Sequence, residues 1–312
     1  TSYSIVTTNT AALAAGAGQT YSLTTATDNL TGTTGDDTFN AAAPTAATQA
    51  WASSDSINGG AGTDALNVTV ANASTYGMSG MTAVENVSAN FSDAGTLSMQ
   101  GASGVTAITN NASTAASVFT AIDSASTSLT VSNTTSNTTF DIANTALAGA
   151  SDNVSVSVSG VTGAAQVNLA PVSGTEGAET ITLNSTGSAN SITLDDDTAT
   201  DLTTLTITGD QNLTLVTTPP TITTIDASAL TGALTHTVTN TAAVTVTGGA
   251  GNDAITAEAT GSSDNINAGA GDDTVTFTAT LATTDTVNGG DGTDTLATTS
   301  VLMTGYTKPA TA

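Results

Sequence analysis

One eight-residue pattern in this chain has the residue types and spacing to hold a metal ion: Gly-Gly-x-Gly-x-Asp-x-aliphatic. It reads Gly59-Gly60-Ala61-Gly62-Thr63-Asp64-Ala65-Leu66 and again Gly248-Gly249-Ala250-Gly251-Asn252-Asp253-Ala254-Ile255. It varies to Ala268-Gly269-Ala270-Gly271-Asp272-Asp273-Thr274-Val275 and closes with Gly289-Gly290-Asp291-Gly292-Thr293-Asp294-Thr295-Leu296. A looser copy, Gly32-Thr33-Thr34-Gly35-Asp36-Asp37-Thr38-Phe39, stands near the N-terminus. Tight reversals visit positive φ, where a Cβ clashes, so glycine is what lets the chain turn here. Such a turn directs main-chain carbonyls inward, and the sixth-position Asp adds a carboxylate. Calcium takes about six to eight oxygens at about 2.3–2.6 Å. One turn has too few donors for that shell; two turns stacked in adjacent coils have enough.

The expected ions therefore lie between coils: one between the turns beginning at 248 and 268, one between 268 and 289, and one between 32 and 59. The expected ligands are Asp37, Asp64, Asp253, Asp273 and Asp294, with Gly59, Gly62, Gly248, Gly251, Gly269, Gly271 and Gly289 shaping the turns. Asp36, Asn252, Asp272 and Asp291 add oxygen donors or only negative potential. Asp55, Asp264 and Asp285 stand just before strands and could ligate on the same or the opposite edge. A single such turn reads more readily as an ordinary β-turn. Repetition of the sixth-position Asp with an aliphatic two residues on is what favours the metal.

The elements that must position these turns are short strands. Val154-Ser155-Val156-Ser157-Val158-Ser159 alternates strictly, as do Ile181-Thr182-Leu183, Leu205-Thr206-Ile207 and Val244-Thr245-Val246. Period two puts the aliphatics on one face and Thr or Ser on the other. The three C-terminal copies begin about twenty residues apart, and Asp264-Asn265-Ile266-Asn267 and Asp285-Thr286-Val287-Asn288 precede the last two. One period thus holds a glycine turn, a strand, a second turn and another strand, which is one coil of a flattened parallel solenoid. Successive glycine turns are expected to stack on one edge. Residues 41–52, with Pro44 and the lone Trp51, read as an insertion whose Trp covers the end of a core; Ala-rich segments such as this one and 11–18 could hold a short helical turn. The expected fold class is all-β: a parallel β-solenoid of the calcium β-roll type, with a Thr/Ser-rich middle that is solenoid or sandwich. Three regions follow: 1–75 with the first calcium-type turns, 76–240 of Thr/Ser-rich strands, and 241–312 with the second array.

Composition narrows the function. The formal net charge is −25, with one Lys or Arg against 26 acidic residues, and that cation is Lys308. Phosphate contacts need Lys and Arg clusters, so nucleic acid is not an expected partner, and an anionic membrane surface is disfavoured for the same reason. Compensation for the carboxylates must come from outside the chain, and divalent cations supply it. With no Cys, thiol chemistry, disulfides and metal-thiolate sites are excluded. No run of eighteen apolar residues suggests a transmembrane helix. The chain starts at Thr1 with no basic-then-apolar leader and reads as a processed or excised piece. His236 falls in phase with the aliphatics and is expected in the core. With one His and no Cys, the usual His-based triads have little to work with, and His-Glu-x-x-His zinc chemistry, which needs two, is impossible. Asp195-Asp196-Asp197 reads as a solvated turn, a glycosidase carboxylate and a separate calcium loop being the alternatives. Glu176, Glu179 and Glu258 have no matching partner in sequence. No enzymatic apparatus is expected.

The eight-residue pattern and the residue after it resemble the repeats-in-toxin (RTX) nonapeptide, a calcium-binding β-helix repeat. The stretches Leu30–Asn40, Met81-Thr82-Ala83-Val84-Glu85-Asn86-Val87, 202–210 and 225–232 are similar to bacterial surface-layer proteins that carry such repeats. The resemblance implies type I secretion, folding outside the cell where calcium is plentiful, and a place at the bacterial cell surface. It implies calcium as cofactor and self-association into a lattice or filament, with cell-surface polysaccharide a further partner. An adhesin segment, or the non-catalytic tail of a secreted enzyme, are the other roles it allows. The chain departs from the RTX pattern in having one motif per coil instead of two. No C-terminal secretion signal is evident in 301–312.

Overall fold

The computed structural model describes residues 16–298 apart from 44–47, 172, 174–176, 197–200, 241, 258–262 and 279–280. The chain is an all-β, parallel β-solenoid of about 12 turns. A 13-stranded sheet runs its whole length, from Thr20–Ser22 to Thr286–Asn288. An 11-stranded second sheet runs from Thr75–Gly77 to Thr295–Thr298, and a 3-stranded short sheet of Asn29–Thr31, Ser56–Asn58 and Met81–Thr82 lies at the N-terminal end. The one helical element among the described residues is a 3-10 turn, Asn144–Ala146. The middle, expected as solenoid or sandwich, is solenoid, because the long sheet passes through it without a break.

The alternation explains the stacking. In Asn153–Ser159 the three Val side chains point into the core while Ser155 and Ser157 face outward. Parallel, in-register pairing puts like residues over like: Ile181 lies between Val154 and Leu205, and Leu183 between Val156 and Ile207. Each buried aliphatic side chain contributes about 1.5–3 kcal/mol. Phe91, Phe119 and Phe140 form a column inside, with ring centroids 5.4 and 5.2 Å apart. Trp51 is buried and donates its indole N–H to the Gly77 carbonyl (3.1 Å), so it packs at the first strand of the second sheet, as its place in the insertion suggests.

The order of strands sets where the glycine turns go. Turns 32–37 and 59–64 run from short-sheet strands into the long-sheet strands Thr38–Ala41 and Ala65–Val70. Turns 248–253, 268–273 and 289–294 run out of the long-sheet strands Thr245–Thr247, Asn265–Asn267 and Thr286–Asn288 into the second sheet. Because all long-sheet strands are parallel, the N-terminal turns enter that sheet and the C-terminal turns leave it, on opposite edges. Stacking on one edge holds within each array and not between them. The motif specifies a turn followed by a strand; it does not specify which sheet that strand joins.

Candidate metal centres

Each sixth-position Asp sits immediately before a strand, where its carboxylate can reach the coil before it. Gln19 N donates to Asp37 Oδ1 (2.6 Å), Asp37 N to Asp64 Oδ1 (2.7 Å) and Asp64 N to Glu85 Oε2 (2.7 Å). In the C-terminal array Leu234 N donates to Asp253 Oδ1 (2.7 Å), Asp253 N to Asp273 Oδ1 (2.7 Å) and Asp273 N to Asp294 Oδ1 (3.1 Å). The carboxylates thus form a ladder up each stack, one oxygen stapling the preceding coil.

The second oxygen is turned into the glycine turn. Asp37 Oδ2 accepts from Thr33 N (2.5 Å) and Asp253 Oδ2 from Gly249 N (2.8 Å). Asp64 Oδ2 and Asp273 Oδ2 are buried and have no hydrogen-bond partner, in residues only 0 % and 1 % exposed. A buried carboxylate oxygen without a partner carries a desolvation cost that a bound cation removes. The first-position glycine keeps the space open beside it. A Cβ on Gly248 would lie 2.0 Å from the Ala268 carbonyl oxygen and 2.3 Å from Asp253 Oδ2. On Gly32 it would lie 2.0 Å from the Gly59 carbonyl oxygen and 2.5 Å from Asp37 Oδ2. A carbonyl of one coil and a carboxylate of its neighbour therefore converge on one point, with oxygen donors only. That donor set fits a hard divalent cation such as calcium. Among the described residues no group of three or more His, Cys, Asp or Glu side chains is placed to hold a metal, so main-chain carbonyls must carry part of any shell.

Positive φ is not the reason for every glycine. Gly269 (φ +106°) and Gly290 (φ +96°) are left-handed, whereas the glycines of 248–253 are not; there the need is close approach, a Cβ on Gly249 falling 2.1 Å from the Leu230 carbonyl oxygen.

Electrostatics point the same way. Burial pushes Asp253 up to about 6, against the N–H groups of Leu234 and Gly249, and the Asp273 charge adds to the rise. Asp64 is raised by burial first and then by Asp37, Glu85 and Asp36; Asp273 is raised by burial and then by Asp294 and Asp272. The chain's single Lys or Arg, Lys308, lies outside the described residues.

The other candidates separate. Asp36 Oδ1 and Asp272 Oδ1 accept from Thr63 N and Thr293 N (both 2.8 Å), and Asn252 Oδ1 accepts from Asp272 N (3.0 Å), so the fifth position builds an exposed ladder beside the buried one. Asp291 and Asp294 are exposed on the last described rung. Asp264 and Asp285 precede long-sheet strands and so lie across the sheet from the glycine turns of their own array. There Val244 N donates to Asp264 Oδ1 and Asp264 N to Asp285 Oδ1 (both 3.1 Å), while Asp285 Oδ2 accepts from Ala282 N (2.6 Å). Asp55, before a short-sheet strand, accepts from Asp28 N (2.9 Å) and Ala52 N (2.7 Å). His236 is buried between Leu215 and Ile255; Nδ1–H donates to the Leu215 carbonyl (2.9 Å), and burial holds the ring below its ordinary pKa. Asp195 accepts from Gln166 Nε2 and from Asp196 N, and Glu179 from Asp152 N (2.6 Å). Glu176, Glu258, Asp197 and residues 301–312 lie outside the described residues, as does most of 11–18.

Two turns escaped sequence reasoning. Gly16-Ala17-Gly18-Gln19 caps the N-terminal array: Gly16 is left-handed (φ +96°), and Thr33 Oγ1 donates to the Ala17 carbonyl (3.2 Å). The turn 82–85 follows the array, with Glu85 in the place of the sixth-position Asp. The available signal was an acidic residue directly before the alternating strand Asn86–Phe91.

Fold and corners together define a parallel solenoid built on glycine–aspartate turns with oxygen-only donor sets. The family model of the RTX calcium-binding nonapeptide repeat (4 copies) matches residues 24–43, 50–68, 239–259, 258–276 and 282–298. The chain thus carries RTX calcium-binding repeats at both ends of the solenoid. No curated protein matches it.

Proposed function

We propose that calcium ions bridge adjacent glycine turns and that the chain is a structural subunit of a calcium-dependent extracellular assembly, a surface layer or filament on the bacterial cell surface. The observation that carries this reading is the pair of buried, unpartnered carboxylate oxygens on Asp64 and Asp273. Asp37 with the Gly59 carbonyl, and Asp253 with the Ala268 carbonyl, would hold ions in the same manner, with Asp273 and the 289–294 turn next in line. The ion supplies positive charge and completes oxygen shells; it neutralises carboxylates that otherwise repel. Ligands that are ordered only by folding make binding free energy into folding free energy. RTX repeats are typical of secreted proteins, which meet millimolar calcium only after leaving the cell.

The terminal strands of the long sheet support the assembly reading. Among the described residues, Thr20–Ser22 and Thr286–Asn288 each have a long-sheet neighbour on one side only. Open edges of this kind are templates for another copy. Self-association, with cell-surface polysaccharide as an anchor, is the partner reading, and a non-enzymatic role goes with it. Circular dichroism with light scattering, in calcium and then in chelator, tests it. Loss of β-structure and of large particles in chelator is the expected result. Identical spectra and particle size in both remove the ion from the mechanism.

A further inference from the structure

We infer that the N-terminal array holds a second ion, between the glycine turn 59–64 and the glycine-free turn 82–85 one coil on. The inference rests on the reading of the glycine turns as calcium clasps, and it moves Asp64 from the expected site to a new one. A Cβ on Gly59 would lie 1.8 Å from the Ala83 carbonyl oxygen and 2.4 Å from Asp64 Oδ2. That is the convergence seen at Gly248, where the oxygens belong to Ala268 and Asp253, yet here the second turn contains no glycine. Ala83 brings its carbonyl there with a left-handed backbone, φ +49°, a conformation that a residue with a Cβ adopts at a cost. Such strain persists where the surrounding structure demands it, often at a ligand clamp.

The buried carboxylate supplies the independent reason. Asp64 is 0 % exposed; its Oδ1 is engaged by Asp37 N, and its Oδ2, which stands with the Ala83 carbonyl beside Gly59, has no partner. The 32/59 interval does not need that oxygen, since Asp37 Oδ2 and the Gly59 carbonyl already converge there. Glu85 completes the parallel. Its Oε2 accepts from Asp64 N at 2.7 Å, the same bond at the same length that Asp64 gives Asp37, and its extra methylene spans the shorter turn. The donors brought together are thus Asp64 Oδ2 and the Ala83 carbonyl, with Glu85 adding negative charge from its bond to Asp64 N and water filling the rest of a calcium shell. The N-terminal RTX match ends at residue 68 and does not include 82–85.

The test counts ions on the full chain, stripped with chelator and titrated with calcium, by non-denaturing mass spectrometry and calorimetry. Glu85→Gln keeps an acceptor oxygen for Asp64 N and removes the charge. Asp64→Asn keeps the Oδ1 acceptor for Asp37 N and weakens the ligand. Each variant is expected to bind one calcium fewer than wild type at the concentration that just saturates wild type, with the C-terminal ions unchanged. If Glu85→Gln loses its β-sheet circular dichroism, Asp64→Asn decides alone. Variants that match the wild-type count and titration overturn the second site while leaving the calcium reading standing. Wild-type protein that binds no calcium removes the calcium reading itself.

Discussion

The two end arrays and the middle of the solenoid have the same coils but hold their corners differently. In the middle two buried groups, Asn110 and Asn190, are neutral and find their partners within the chain, although Asp152 Oδ2 there is buried without one. Asn110 donates to Ser117 Oγ (2.8 Å) and Thr138 Oγ1 (2.6 Å) and accepts from Ser113 Oγ. Asn190 donates to Ser185 Oγ (2.9 Å) and the Val158 carbonyl (3.2 Å) and accepts from Val161 N (2.9 Å). At the ends carboxylates stand directly before the strands that follow the turns; each staples the neighbouring coil with one oxygen, and on Asp64 and Asp273 the other oxygen has no partner. Neutral corners are complete in the chain alone; anionic corners need a cation. Calcium dependence should therefore be regional.

The largest expected effect is on calcium removal. Hydrogen exchange in chelator should rise in the rungs of 32–91 and 245–298, while 107–238 keeps most of its protection. A uniform rise along the chain would mean that the corners do not differ. Next is Gly248→Ala, which drives a Cβ against the Ala268 carbonyl and Asp253 Oδ2. It should destabilise the C-terminal array by about 2–4 kcal/mol and weaken calcium binding there, seen as an earlier melting step in that array only. Normal melting in calcium would show that the turn has room to relax. Asn110→Ala sharpens the contrast from the other side. It leaves buried Ser117, Ser113 and Thr138 short of partners and should cost about 1–3 kcal/mol, equally in calcium and in chelator. A calcium-dependent cost would tie the middle to the ions.

The smallest effect is on pH. Asp253 is raised in the folded, calcium-free chain above its unfolded value, so its protonated form is favoured by folding. Its contribution to calcium-free stability is complete below about pH 4 and is lost as pH rises through about 6. Calcium competes with that proton, so affinity of the C-terminal array should fall as pH drops below about 6. The stabilities in calcium and in chelator should converge toward acid. Affinity independent of pH between 5 and 7 would separate Asp253 from the ion.

Much of this was legible in the residues. Strict alternation at 154–159 and the aliphatic after each sixth-position Asp read directly as stacked parallel strands, and the spacing of 248, 268 and 289 as coils. The opposite placement of the two arrays was not legible, because a turn motif says nothing about which sheet the chain is leaving. Whether Asp264 and Asp285 share an edge with the glycine turns depended on that same fact. The turn at 82–85 was hidden for a different reason: Ala83 does by strain what glycine does freely, and Glu85 reaches by length what Asp reaches by position. Asn110 and Asn190 carried no signal in a chain so rich in Asn and Thr, since their roles come from register between coils.

The most direct measurement is anomalous diffraction from crystals of the chain grown in saturating calcium. The expected result is a metal peak beside Gly248, bound by the Asp253 carboxylate of one coil and the Ala268 carbonyl of the next. Well-ordered turns at 248–253 and 268–273 with no metal between them would contradict it.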